Sequence, residues 1–273
     1  MNLIDSWTEI ECIDLSVPLS PHFPVTWPGL PQFRKSILAW FEDYRNPNGE
    51  TVRSVGGYYD QFLELDEHTG THVDFPSHIL RPGELSEVES RFGAGPPLRT
   101  FAGPAAVIDA TAFLDSAEVG RSLRVPLSVF EEWERIHGQF RSGDVALMDT
   151  GYTDRYFRAL PEGERFVKEV VASGVYPGWP VPSDEVLQLL AQRGVRHLGV
   201  SSPSIGALDD SAGPHRTGMR LGLTFAESLI GLRHLPARGA FYIGFPLKIE
   251  DQSGSPIRAA AFIGKTVEGG KEK

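Results

Sequence analysis

Residues 68–78 read His-Thr-Gly-Thr-His-Val-Asp-Phe-Pro-Ser-His, and three of the chain's eight histidines fall within them. His68 and His72 are four apart, the spacing at which two imidazoles on one helix face hold zinc. The context opposes that helix. Gly70 and Pro76 interrupt it, and Thr71, Val73 and Phe75 favour strand. Read as a strand, His68, His72, Asp74 and His78 share one parity and one face, while Thr71, Val73 and Phe75 point the other way into packing. A straight strand would hold His68 and His72 ~13 Å apart, too far for two ligands of one ion. Gly70 lies midway and supplies the bend through a bulge or a positive φ. Mixed imidazole and carboxylate ligands suit zinc or manganese, whereas calcium wants more oxygen. This cluster therefore predicts a metal site, with Thr69 and Thr71 serving strand propensity and supporting hydrogen bonds.

Outward from this stretch, the chain alternates short apolar runs with turn residues. Residues 12–17 read as a strand, and the segment from Pro18 to Pro31 holds too many prolines to be anything but an irregular loop. Residues 51–65, β-branched and aromatic with a Gly56-Gly57 break, predict a hairpin or bulged strand. Buried strands are expected over 104–110 and 144–150. Ser128 and Glu131 form a capping box that opens a helix ending at Gly138. A second helix runs from Ser183 to Gly194, with Val186, Leu187, Leu189 and Leu190 on its apolar side. A strand is expected over 196–200, a helix over 224–232, and closing strands over 239–244 and 257–263. The order is mixed and strand-rich, which predicts an α/β or α+β domain with a substantial β core. No repeat and no Ser/Gly linker divides residues 1–273, so one domain is expected.

The 273 residues carry 26 Lys and Arg against 36 Asp and Glu, a formal net charge of −10. No Lys/Arg cluster is present, which argues against a nucleic-acid partner. Cys12 is the single cysteine, so an internal disulfide and a cysteine-based zinc site are excluded, and any metal rests on histidine and carboxylate. Residues 1–11 have neither the basic nor the apolar region of a signal peptide. No apolar run is long enough to span a membrane. A cytoplasmic location is expected.

The 68–78 stretch resembles the His-x-Gly-Thr-His-x-Asp-x-Pro-x-His signature of the cyclase-like metal-dependent hydrolases, which include bacterial kynurenine formamidases and isatin hydrolases. Asp14-Leu15-Ser16 and Trp27-Pro28-Gly29 resemble the family's first strand and the loop that roofs its site. Gly199-Val200-Ser201-Ser202-Pro203-Ser204 resembles its Gly-Ile-Asp-x-x-Ser segment, with Ser201 in place of the aspartate. His215 and Glu227 match its distal histidine and its helix-borne glutamate. The resemblance runs from about residue 11 to 264.

It implies a swivelling β/β/α fold and a homodimer or homotetramer with the site near a subunit interface. It makes His68, His72 and Asp74 ligands of one metal. Asp74 would also touch a second metal held by His215, with Glu227 bridging, and His78 would be the acid–base residue. The cofactor would be one or two divalent ions, zinc or manganese. Taken alone, His215 reads as a loop residue and Glu227 as a capping-box acid. Glu227 separates the chain from isatin hydrolases, where an amide stands in its place. Extra length between Trp27 and His68 and in the middle of the chain separates it from the small formamidases. Trp27 and Phe75 are the candidate substrate contacts, Trp27 because a tryptophan in a proline-rich loop has little reason to be buried. The implied activity is hydrolysis of a small amide, lactam or lactone by metal-activated water, on a substrate that is weakly expected to be aromatic. A cyclase or lyase acting on a carbonyl compound is the second reading, and a non-enzymatic metal- or ligand-binding protein the third.

Overall fold

A computed structural model describes residues 9–84, 96–114 and 116–264. The described residues before Pro126 carry strands and short 3-10 turns but no α-helix: β1 (Ile10–Asp14), β2 (Arg34–Ala39), β3 (Tyr44–Arg45), β4 (Thr51–Val52), β5 (Asp60–Glu64), β6 (His72–Asp74), β7 (Ala102–Asp109) and β8 (Arg124–Val125). Helices then alternate with strands: α1 (Leu127–His137), β9 (Val145–Asp149), α2 (Tyr152–Tyr156), α3 (Lys168–Ser173), β10 (Val181–Pro182), α4 (Asp184–Gln192), β11 (His197–Val200), α5 (Gly213–Arg220) and β12 (Thr224–Glu227). Strands β13 (Ala240–Ile243), β14 (Gly254–Pro256) and β15 (Ala260–Gly264) follow.

Nine strands form one sheet in the order β1-β15-β13-β7-β9-β11-β12-β6-β14. Its centre, β7-β9-β11-β12, is parallel, and the strands on both flanks are antiparallel. Period-2 alternation divides the core. Ala106, Ile108, Ala146 and Met148 face α1 and α4, where they meet Phe130, Trp133, Leu187 and Leu190. The intervening Ala105, Val107, Val145 and Leu147 face the other way and pack with Leu15, Tyr242 and Ala261 of the flanking segments. With both faces buried, β7 and β9 are apolar runs up to their final aspartates, as buried parallel strands tend to be.

The mixed, β-rich α/β architecture agrees with the sequence expectation, and three local readings are corrected. The 51–65 segment does not fold back on itself. Its halves, β4 and β5, pair with β3 and β2 in nested hairpins, so the turn lies earlier, at Asn46–Glu50. Helix α1 begins at Leu127 with Pro126 as its N-cap and no side-chain cap, so the box of Ser128 and Glu131 does not form. Proline's fixed φ already sets the entry to this helix. Residues 224–227 are strand, not helix, because β12 fills the slot between β11 and β6 and sheet packing overrides the local Thr-x-x-Glu signal. Helix α4 and its stop at Gly194 (φ +81°) match the sequence reading.

Candidate metal centre

The parallel strands deliver their carboxyl ends to one edge of the molecule, the usual place for a site in such sheets. Glu227 is the last residue of β12, and Ser201–Ser204 continue directly from β11. Strand β6 lies beside β12 and brings in His72 and Asp74. Before β6 the chain turns sharply through Gly70, at φ +63°. The turn is tied down by Thr71, whose hydroxyl donates to the Ser228 carbonyl (2.7 Å) and accepts from the Val17 N–H (2.9 Å). Thr71 thus has the supporting role read from the sequence.

Four side chains converge, each nearly excluded from solvent. Carbonyl acceptors set the tautomers of the two imidazoles. His72 donates from Nδ1 to the Gly70 carbonyl (2.9 Å), and His215 from Nδ1 to the Ser211 carbonyl (2.8 Å). Both Nε2 atoms therefore face the carboxylates. His72 Nε2 lies 3.3 Å from Asp74 Oδ1 and 3.4 Å from Glu227 Oε2. His215 Nε2 lies 3.3 Å from Asp74 Oδ2 and 3.1 Å from Glu227 Oε1. Glu227 Oε1 also accepts from the Ile205 N–H (2.6 Å) and the Ser204 hydroxyl (3.2 Å).

His68 stands in the turn before β6, not on the strand. Its Nδ1 is 2.7 Å from Asp74 Oδ1 and its Nε2 is 3.1 Å from Ser253 Oγ. Ser253 in turn donates to Glu67 Oε2 from its hydroxyl (2.6 Å) and its N–H (2.9 Å). His78 ends a 3-10 turn, Pro76–His78. Its ring centre is 4.1 Å from that of His68 and 5.7 Å from that of His215.

Burial works against charge at these groups, yet the ion pairs prevail. It would keep His215 neutral, but the hydrogen bonds to Asp74 and Glu227 lift its pKa to about 10. His72 is raised well above the ordinary imidazole value against the same opposition. Burial would raise Asp74, but the imidazoles of His215, His68 and His72 hold it well below the carboxylate range. Glu227 is lowered despite burial and the neighbouring Asp74 charge, through His215 and His72. His78 differs: partial burial lowers its pKa, opposed by the Asp74 charge.

This donor set fits divalent cations. His72, Asp74 and Glu227 offer ligand atoms within 4.8 Å of one another, as do His68, Asp74 and His78. Asp74 Oδ2 is buried with only the long His215 Nε2 contact, at 3.3 Å, beside it, and a cation would supply the close partner it lacks. The imidazoles present lone-pair nitrogens once deprotonated, with Nδ1 fixed from behind, as metal-ligating histidines do.

A cavity of about 300 Å³ opens above these groups. Its floor is His72, Asp74, His215 and Glu227, and its wall is apolar, with Trp27, Leu30, Phe157 and Phe166. Trp27 is half-buried and set edge-on to Trp179, with ring centres 6.0 Å apart. The structure thus brings together His68, His72, Asp74, His78, His215, Glu227 and Trp27. It does not bring Phe75. Adjacent to Asp74 on an extended segment, Phe75 points to the opposite side and packs near Phe101 in the core. His215 is corrected from loop to helix α5, whose first turn holds Pro214. Glu227, corrected from helix to strand, reaches the same centre. Sequence reasoning assigned no role to Glu67, Ser253, Ile205, Phe157 or Phe166. Ser204 lies within a quoted motif and Glu67 and Ile205 directly adjoin quoted motifs, whereas Ser253, Phe157 and Phe166 come from distant segments with no local signal.

The family model described as "Putative cyclase" matches residues 13–207. The chain belongs to this cyclase family. Isatin hydrolase of Roseibium aggregatum is 26% identical over 94% of this chain and 93% of its own. Kynurenine formamidase of Salinibacter ruber is 28% identical over 90% of this chain and 95% of its own. Among solved structures, isatin hydrolase A from Ralstonia solanacearum superposes with a TM-score of 0.73 at 25% identity, covering 94% of this chain and 93% of that one. An isatin hydrolase bound to the product analogue thioisatinate gives the same TM-score at 23% identity, with 94% of both chains covered. The chain therefore shares its fold with these two structures.

Proposed function

We propose that this chain is a metal-dependent hydrolase of a small amide, lactam or lactone, acting on carbon–nitrogen bonds other than peptide bonds or on their ester counterparts. One observation carries the reading: two tautomer-fixed imidazoles and two buried carboxylates meet at the floor of an apolar-walled cavity. The relatives named isatin hydrolase and kynurenine formamidase support the reaction class. His68, His72 and Asp74 would hold one ion, and Asp74, His215 and Glu227 a second, zinc or manganese. Such an ion supplies Lewis acidity and makes hydroxide accessible near neutral pH.

The chain's own groups do the rest. Trp27, Leu30, Phe157 and Phe166 take the apolar body of the substrate and exclude water from it. Ile205 and Ser204 hold Glu227, and the Gly70 and Ser211 carbonyls hold the two imidazoles, so the centre is set before substrate arrives. His78 stands at the cavity wall with a lowered pKa, suited to carrying a proton from the attacking water to the leaving nitrogen or oxygen. The working enzyme is further proposed to be a cytoplasmic homo-oligomer of single-domain subunits.

The test is turnover by metal-reconstituted protein of isatin, aryl formamides and simple lactones in heavy-oxygen water. Hydrolysis places one solvent oxygen in the product carboxylate. Product free of solvent oxygen would move the activity to ring closure or elimination, and full metal loading without turnover across the panel would leave a binding protein.

A further inference from the structure

The segment Gly199–Ser204 departs from the family pattern at one position, with Ser201 where an aspartate is expected. A carboxylate is nevertheless present at that point of the structure, supplied by the neighbouring strand. Asp149 ends β9 and is 4% exposed, and Ser201, which follows the parallel neighbour β11, is fully buried. Asp149 Oδ1 accepts from the Ser201 hydroxyl (2.8 Å) and from the Gly151 N–H (3.0 Å). Ser201 Oγ in turn accepts from the Thr150 N–H (2.7 Å) and, at 3.2 Å, from the same Gly151 N–H. Two successive backbone donors thus sit between these side chains, within reach of an oxygen from either strand.

The turn that starts at Ser201 is fastened at one end to this pair and at the other to Glu227. The Ser201 carbonyl accepts from the Thr150 hydroxyl (2.7 Å) and the Thr153 N–H (2.9 Å). One residue on, the Ser202 carbonyl accepts from the N–H of Ser228 (2.7 Å), the neighbour of Glu227. Ser204 and Ile205 then donate to Glu227 Oε1 itself. Neither Asp149 nor Ser201 lines the cavity, so the pair acts on the centre only through the turn. Burial raises the Asp149 pKa against its hydrogen bonds from Ser201 and Gly151, and the charges of Asp154 and Asp109 add to that rise. Burying such a group costs the fold stability. In return, an anionic acceptor fixes the Ser201 hydroxyl more firmly than a neutral one would.

We propose that Asp149 is a positioning residue for the metal centre: from β9 it takes the place of the family's aspartate after β11 and, by fixing Ser201, sets the turn that aims Glu227. The inference rests on the two-ion reading above but can fail separately from it. It makes the two ion positions unequal in their dependence on Asp149. His68, His72 and Asp74 approach from β6 and the turn before it, with no bond to the Ser201–Ile205 turn. Glu227 takes two of its hydrogen bonds from that turn. Loosening the turn therefore weakens the position shared by Asp74, His215 and Glu227 and spares the other.

The experiment titrates metal-stripped protein with zinc by calorimetry, comparing the parent with Asp149→Ser, Ser201→Ala and the double variant Asp149→Ser with Ser201→Asp. The parent gives two binding events. Asp149→Ser and Ser201→Ala keep one of them at parent strength and weaken the other by about 10–100-fold, the usual cost of removing a group that orients a ligand. The double variant returns a carboxylate to the same Thr150 and Gly151 N–H groups from the β11 side, and it recovers the weakened event. Two events of parent strength in both single variants overturn the inference and leave the two-ion reading standing. Equal weakening of both events also overturns it, since that is a general loss of structure, and so does a double variant that recovers nothing. A single event in the parent overturns the two-ion reading and the inference with it. If circular dichroism shows Asp149→Ser unfolded, Ser201→Ala decides: two events of parent strength there overturn the inference, and selective loss of one supports it.

Discussion

His72 and Glu227 lie directly opposite one another across the antiparallel pair β6–β12. Cross-strand partners share a face with their Cβ atoms about 5 Å apart, so the register alone places an imidazole against a carboxylate. Phe225 opposes Asp74 in the same ladder. A slip of one residue would turn His72 and Asp74 to the other face together. The apolar alternates Val73 and Ala226, both fully buried in the core, hold that register. The geometry of the candidate metal centre is therefore specified by ordinary hydrophobic packing on the reverse side of the same two strands.

Glu227→Gln keeps the volume of the side chain, and its carbonyl oxygen can still accept from Ile205. It removes one negative charge from between the Nε2 atoms of His72 and His215. The ion position with fewer remaining ligands should be lost first. Calorimetric titration of metal-stripped protein is expected to give two binding events in the parent and one in the variant, with turnover falling alongside. A parent with a single event would mean that Glu227 does not bridge two ions.

His78→Ala should retain metal and lose roughly 10²–10⁴-fold in kcat, the span for a general acid–base group. The ring lies beside His68 and close to His215, yet its nitrogens have no hydrogen-bond partner among the described residues. Elemental analysis of the purified variant separates the roles, since metal loss would make His78 a ligand.

Ser253→Ala removes the hydroxyl that joins His68 Nε2 to Glu67. With an ion bound, the serine would accept from Nε2–H while donating to the Glu67 carboxylate, which would leave the Nδ1 lone pair for the ion in place of the proton it now shares with Asp74. Without it the His68 tautomer is no longer fixed. Metal affinity should weaken by about 10–100-fold, the usual effect of removing such support, and Ser253→Thr should restore it. Titration with a chromophoric chelator reads both variants, and an unchanged affinity in Ser253→Ala would remove the relay.

The His-x-Gly-Thr-His-x-Asp core of the centre was legible because its chemistry is local: ligand types, parity and a glycine at the bend all fall within a few residues. His215 and Glu227 were legible only through resemblance, since their own neighbourhoods read as a loop and a helix cap. What placed them was the slot for β12 between two strands and the helix after the Ser201–Ser204 turn, both tertiary facts. Phe75 misled because proximity in sequence is not proximity in space on an extended chain. The cavity wall was out of reach for the same reason: Phe157 and Phe166 sit about ninety residues from the motif they face.

His197 on β11 links stability to pH without touching the centre. Its Nδ1 bonds Thr224 Oγ1 (2.9 Å), its Nε2 is buried without a partner among the described residues, and burial pushes its pKa down to about 3. The ordinary value, near 6.5, holds in the unfolded chain. Above pH 6.5 both states are neutral and the stabilisation is fully present. As pH falls from 6.5 toward 3, only the unfolded state takes the proton, and stability drops by about 1.4 kcal/mol per pH unit. In His197→Asn, which can keep the Thr224 bond, this slope should disappear. Denaturant titrations at pH 6.5 and 4.5 should show the parent losing about 2–3 kcal/mol more than the variant. Equal losses would refute the assignment.

Metal binding should itself release protons. In the metal-free chain the Nε2 atoms of His72 and His215 hold protons against Asp74 and Glu227, with His215 raised to about 10 and His72 well above its ordinary value. Near pH 7.5 the His215 imidazole is thus protonated and His72 is shifted toward its protonated form, and an ion can take Nε2 only by displacing that proton. The sign follows directly: a raised pKa means stronger proton competition as pH falls, so affinity rises with pH and levels off only above the raised values. Each imidazole recruited should contribute one proton and about a tenfold change in affinity per pH unit. Full loading is expected to release about two protons, one at each end of the carboxylate pair. Calorimetry in buffers of different ionisation enthalpy measures this number directly. A binding enthalpy independent of buffer would show that both imidazoles are already neutral, and that hydrogen bonds to uncharged rings, not ion pairs, hold Asp74 and Glu227 in the metal-free protein.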